Sequence, residues 1–321
     1  MRSNLMRRIT RQSTGPGYRP VIGNVSRHKF PMADIRSSDE AKARTIEATS
    51  RRRSHEESLR FLEDLRGYLA RAQEDDAIRA WQDQIHALED WLASEQYKTG
   101  NFPMGIDDLV LEIIEWRAVQ HAFQQVDIAP NTFSDSVFFQ QWLIGSIYAI
   151  YSILGKLVGK APGETSLRKL WWEVSKFVSR DGACPNTECK FIGEQLDRAT
   201  GKFTNNNSLA MQFRNNVIAH NQRSIALSGD EIDSDIRIIV RIWSILVSWS
   251  SFGIIAPFRN SEHAFSGLDG IVTGEELVAL KLKRQEYIDR VINWAQTHLH
   301  TGAVDLGGTP FTSAIVSSNI F

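Results

Sequence analysis

Apolar residues recur along this chain at steps of three and four, and runs that alternate apolar with polar are scarce. That spacing gives a helix one apolar stripe, so the pattern predicts an all-α fold. Ser37-Ser38-Asp39-Glu40 carries the spacing of a capping box, which predicts a helix running from there to about Ala72. A second helix is predicted near Ala77 to Tyr97, with Ile78, Trp81, Ile85, Leu88 and Leu92 on one stripe. The two would form an antiparallel hairpin over 36–100, an N-terminal extension ended by Lys98-Thr99-Gly100-Asn101-Phe102-Pro103.

A helical bundle is expected over 105–300. Its helices fall near 105–127, 133–159, 165–180, 187–200, 207–221 and 231–255, punctuated by Ala129-Pro130-Asn131 and Lys160-Ala161-Pro162-Gly163. Thr273-Gly274-Glu275-Glu276 is a second capping box and opens a helix to about His300. The tail over 301–321 is rich in Gly, Ser and Thr, and is expected to be loose or to dock as a short strand.

Two segments are apolar enough to be weighed as membrane spans. Ser136 to Gly155 runs 20 residues without a charge, close to the length that crosses a bilayer. It contains Gln140, Gln141, Ser146 and Ser152, and Ile242 to Phe258 contains four serines and Pro257. Helices buried all round inside a bundle have the same composition, and that reading is preferred for both. No membrane association is expected.

Charge divides the chain. Residues 1–53 hold 13 Lys and Arg against 4 acids, a net of +9, while the remainder is at −10. A body that acidic suits small local phosphate contacts rather than long non-specific binding to nucleic acid. The basic arm over 1–35 has no acid before Asp34 and contains Gly15-Pro16-Gly17, Pro20 and Pro31, which predicts disorder. A transit peptide has a similar bias, and Met32 is an alternative start. No apolar run of a secretory signal is present in 1–31. Two cysteines, Cys184 and Cys189, make no disulfide framework and have neither a second cysteine pair nor a nearby histidine for zinc. Reduced thiols in a cytoplasmic protein are expected.

Chemistry concentrates in Phe213-Arg214-Asn215-Asn216-Val217-Ile218-Ala219-His220-Asn221. An arginine and a histidine separated by four to six residues are in themselves uninformative. Composition alone gives about two such pairs, and two occur, Arg79…His86 and Arg214…His220. Context separates them. His86 sits in a plain amphipathic helix, whereas Arg214 and His220 are accompanied by Asn215, Asn216 and Asn221, on a helix oriented by Leu209, Phe213 and Val217. A guanidinium, amides and an imidazole can hold a phosphate and move a proton near neutral pH.

These residues resemble the signature of the HEPN superfamily, in particular its abortive-infection (AbiU-type) branch. That signature is an arginine, a polar residue directly after it, and a histidine a few positions on. The order of the surroundings is similar too: a long apolar helix, Ser166-Leu167-Arg168-Lys169-Leu170, the motif helix, then the long helix from Glu231. The likeness covers roughly 130 to 255, under half of the chain. It implies a helical bundle that forms a homodimer through the motif helices, and a metal-independent endoribonuclease with RNA as substrate. Arg214, Asn215 and His220 would be catalytic, with Asn216 and Asn221 binding substrate and no metal or other cofactor. An inhibitory or activating protein partner in phage defence, toxin–antitoxin pairing or stress is also implied. A non-catalytic HEPN-like module that binds a protein or a nucleotide is the alternative.

Geometry sets a condition on this. Six residues of ideal helix turn about 600°, leaving Arg214 and His220 roughly 120° apart in projection. Either the helix loosens near Ala219 or a symmetry mate completes the site. Elsewhere, His298-Leu299-His300 reads as a helix end, and His121 as a satisfied, partly buried histidine. The tryptophans, Trp171-Trp172 among them, are spaced as core or interface. No phosphate-binding Gly-rich loop, Gly-x-Ser-x-Gly turn or His-Glu-x-x-His helix occurs, which argues against ATP-driven, serine-hydrolase and zinc-protease chemistry.

Overall fold

A computed structural model describes residues 35–49, 55–99, 105–128, 136–159, 165–213, 215, 229–250 and 264–305. The fold is all-α. The helices are α1 (Ser38–Thr49), α2 (His55–Arg71), α3 (Asp75–Ala93), α4 (Glu95–Thr99), α5 (Ile106–Gln125), α6 (Val137–Leu157), α7 (Leu167–Arg180), α8 (Asn186–Gln195), α9 (Leu209–Gln212), α10 (Gly229–Ser250) and α11 (Gly274–Gln296). Two isolated β-bridges, Asp269 with Val272 and Thr297 with Val304, are the extended pairings among the described residues.

Both capping boxes mark helix starts. Ser37 Oγ accepts from the Glu40 amide, and the Glu40 carboxylate takes the Arg36 amide, one residue before the usual partner. At α11, Thr273 and Glu276 exchange both bonds. The stretch predicted as one helix to Ala72 is described as α1 and α2, on either side of 50–54, which is outside the described residues. They also belong to different cores. Ala41 and Ala48 of α1 join the main core, whereas Leu62 and Leu65 of α2 pack with Ile85 of α3 in a small core of their own.

The main core forms around α10. Its isoleucines at 232, 236, 238, 239, 242 and 245, with Trp243, Leu246 and Val247, are buried on every side. Packed against α10 are α1, α5, α7 and α11, with α6 on α5 and α8 on α7. α7 contributes Leu167, Leu170, Trp171, Val174 and Phe177, one stripe at steps of three and four. Gly229 opens α10 directly beside Arg117. A Cβ there would lie 2.4 Å from that guanidinium, so any larger residue would push Arg117 from its place on Asp233.

Three arginines buried in this core are paired with carboxylates. Arg117 Nε and Nη2 donate to the two oxygens of Asp233 at 2.8 and 3.1 Å, and Tyr287 Oη donates to Asp233 at 2.9 Å. Arg241 grips both oxygens of Glu188 at 2.9 Å and adds the Ala295 carbonyl and Asp305. Arg284 takes Glu115 the same way. The beginning of the tail is fixed too: Asp305 N and His298 N bond across the Thr297–Val304 bridge. Residues 306–321, and the arm over 1–34, lie outside the described residues.

The two apolar segments differ from one another. The part of Ile242 to Phe258 that is described belongs to α10 and is buried as expected. α6 is buried along its second half only, through Ile150, Tyr151, Ile153, Leu154 and Leu157. Its first half exposes Val137 and Phe138 at 72% and 71%, with Ile144 and Tyr148 also at the surface. By length and composition it is the one described helix able to cross a membrane.

Candidate functional site

The chain approaches the Arg214 segment through a tightly folded loop between α8 and α9. At Gly201 a Cβ would lie 2.5 Å from the Asp197 carbonyl oxygen, so the turn closes only on glycine. The Asp197 carboxylate accepts from the amides of Ala199 and Thr200 and from the Thr200 hydroxyl, and these bonds hold its pKa down at about 2. Asn207 Nδ2 closes the same turn on the carbonyls of Thr200 and Gly201. Ser208 then caps α9. Its Oγ accepts from the Met211 amide and donates to Asp235 Oδ2 at 2.9 Å, anchoring the short helix to α10.

After Gln212 a wider, π-type turn takes in Phe213 and Asn215. Such a turn advances fewer degrees per residue than an α-helical one. The stretch near Ala219 where loosening was expected lies outside the described residues. Phe213 holds the turn down with its ring 4.9 Å from that of Tyr151 and 6.1 Å from that of Tyr148, both on α6. Asn215 is half-buried, and its Nδ2 donates to Asn205 Oδ1 at 2.7 Å, tying the motif back to the loop. Arg214, Asn216, His220 and Asn221 lie outside the described residues.

Under this turn sits a group of polar side chains that sequence reasoning did not single out. Asp235 is 2% exposed; burial raises its pKa to about 6 against the pull of Lys202, whose ammonium is 3.5 Å from Oδ1, and of Ser208. Burial also raises the pKa of Tyr151, with the fields of Asp235 and Glu231 adding to it. Arg168, 1% exposed in the first turn of α7, gives one bond, Nη2 to the Phe203 carbonyl at 3.2 Å. Burial and then the neighbouring Arg198 pull its pKa down to about 10, with Asp197 in opposition.

Three residues here, Thr204 among them, keep unused hydrogen-bonding atoms: Tyr151 Oη, Thr204 Oγ1, and Arg168 Nε and Nη1 have no hydrogen-bond partner among the described residues. An unsatisfied buried polar group costs about 1–3 kcal/mol, so their concentration beside one turn calls for a reason. A signal was present in the sequence. Asp235 and Arg168 interrupt the apolar stripes Ile232–Ile236–Ile239 and Leu167–Leu170–Trp171, where a charge has to be buried.

The remaining candidates are structural. His121 is buried with its ring 5.2 Å from that of Tyr287; burial and the nearby Arg117 lower its pKa, as expected of a packed histidine. His298 and His300 follow the end of α11 with their rings 6.2 Å apart. Cys184 and Cys189 are free thiols, and no cluster of three metal-ligating side chains occurs among the described residues. Trp171 and Trp243 are core. Compared with known proteins, the chain matches no protein-family model, no curated protein and no solved structure.

Proposed function

We propose that this chain is a metal-independent endoribonuclease of the HEPN type, acting in the cytoplasm in bacterial phage defence or stress. The observation that carries the reading is the setting of the motif. The helix that leads into the motif, α9, is capped and anchored, and a widened turn at Phe213 and Asn215 follows it beside buried polar groups with unused capacity. A rigid base is what a preorganised site needs, and widened turns recur at functional sites.

In this reading His220 removes the proton of a ribose 2′-hydroxyl, whose oxygen attacks the adjacent phosphorus. The bond to the 5′ oxygen breaks, and that oxygen takes up a proton, leaving a 2′,3′-cyclic phosphate and a 5′-hydroxyl. Arg214 offsets the charge gathering on the phosphoryl oxygens. Asn215, held by Asn205, orients the segment, and Asn216 and Asn221 bind the substrate. DNA has no 2′-hydroxyl and is spared. A second copy contributes the facing motif helix, and a partner protein restrains or triggers activity.

The test is end-chemistry mapping of cellular RNA after induction. Wild type should produce cyclic-phosphate and 5′-hydroxyl ends, and His220→Ala should not. RNA left equally intact by both overturns the reading. One observation favours the alternative of a non-catalytic binding module: the exposed apolar front of α6, at Val137, Phe138, Ile144 and Tyr148, is a surface suited to a protein partner.

A further inference from the structure

Arg168 is a cation placed where most local influences oppose a cation. It has lost its water, at 1% exposure. It lies at the second position of α7, whose N-terminus carries the positive end of the helix dipole. Arg198 adds a like charge. Asp197 pulls the other way, but its carboxylate is engaged by the amides of its own turn. One neutral carbonyl, that of Phe203, serves five N–H donors, and Nε and Nη1 have no partner among the described residues. The next residue, Thr204, is 7% exposed and also holds an unpartnered hydroxyl. Two of these influences, the positive end of the α7 dipole and the like charge of Arg198, favour an anion, and a bound anion would supply the counter-charge that the buried guanidinium lacks.

We infer that Arg168 and Thr204, at the first turn of α7, form a binding site for a phosphate group. The chemistry fits because a guanidinium fork can present two parallel N–H groups to phosphate oxygens, a hydroxyl adds a third donor, and a helix N-terminus favours the charge. Occupancy exchanges the single Phe203 carbonyl for phosphate oxygens. Position gives the site its meaning, and this part rests on the nuclease reading. The Thr204 carbonyl accepts from Asn207 and Ser208, Ser208 caps α9, and Asn205 holds Asn215. A phosphate at Arg168 is therefore one short loop from Asn215, and in the nuclease reading it would be a neighbouring phosphate of the RNA strand being cut. A free phosphate or phosphomonoester would satisfy the same donors.

The test uses the full chain. Thermal unfolding is followed in inorganic phosphate and in chloride at matched ionic strength and pH 7. Phosphate should raise the Tm of wild type and leave Arg168→Met, itself more stable than wild type, unmoved. Thr204→Val, which removes only the hydroxyl, should show a reduced response. In a second arm, on a His220→Ala background that cannot cleave, a short RNA is titrated. Loss of Arg168 should weaken binding about tenfold and reduce the salt slope by about one. A phosphate response with unchanged RNA affinity assigns the site to the free anion. Equal phosphate response and equal RNA affinity in wild type and Arg168→Met overturn the site. That result would leave RNA cleavage untouched, just as an inert His220→Ala comparison would leave the phosphate response standing.

Discussion

Two regions of this protein are equally dry and differ in what the dryness is used for. Between α5, α10 and α11, Arg117 meets both oxygens of Asp233, and Tyr287 supplies a further bond to the same carboxylate. Around α9, Arg168 is just as buried yet holds one carbonyl, while Thr204 and Tyr151 keep unused hydroxyls. Burial alone therefore does not distinguish a structural charge from a working one. The presence of a counter-charge does. A pair that is complete within the chain fixes the packing of three helices, whereas a donor left incomplete has capacity for something outside the chain.

The comparison breaks first at Asp233. Asp233→Ala leaves Arg117 buried without its carboxylate and should lower stability by about 3–5 kcal/mol, read from the denaturation midpoint. If the loss is negligible, the paired region is not what holds α5, α10 and α11 together.

Next is a dependence on pH from the other region. Asp235 has a folded-state pKa near 6, above its ordinary value of 3.8. The folded state thus binds the proton more tightly, so this residue's contribution to stability is present below the ordinary carboxylate range and is lost as pH rises through about 6. Between about pH 4 and pH 6 wild type should lose roughly 2–3 kcal/mol from this group, and Asp235→Asn should flatten that slope. Chemical denaturation at a series of pH values measures it.

The sharpest version removes one hydroxyl in each region. Tyr287→Phe deletes a bond to a charged oxygen and should cost about 1–2 kcal/mol. Thr204→Val deletes a hydroxyl with nothing to hold, and should be neutral or stabilising by up to about 1 kcal/mol. Equal destabilisation by both would erase the distinction. The smallest effect belongs to the surface: Phe138→Ser on α6 should change stability by no more than about 0.5 kcal/mol, while reducing any self-association seen by sedimentation.

Much of this was legible in the sequence, for identifiable reasons. The helices announced themselves because a stripe at steps of three and four has one physical solution, and Ser37 and Thr273 marked starts because their side chains satisfy amides within reach along the chain. What failed was the long-range part. The first predicted helix was expected to pair only with the second, whereas α1 joins the main core because small residues at Ala41 and Ala48 let it approach α10 and α7. The α6 segment, expected to be buried all round, exposes its first half; its composition resembles that of α10, and composition does not say how many neighbours surround a helix. At the candidate site, Asn215 and its polar neighbours drew notice as a local cluster, whereas Arg168, Thr204, Tyr151 and Asp235 come from separate stretches of chain.

By itself the sequence determined the all-α class, most helix boundaries and the one segment dense in proton-moving and phosphate-holding side chains. Those are properties of neighbours along the chain, where period, caps and residue type act over a few positions. Tertiary structure alone decided which buried charges found partners and which did not. A carboxylate 116 residues away completes Arg117, and none of the described acids completes Arg168 in that way, a difference no local pattern can carry.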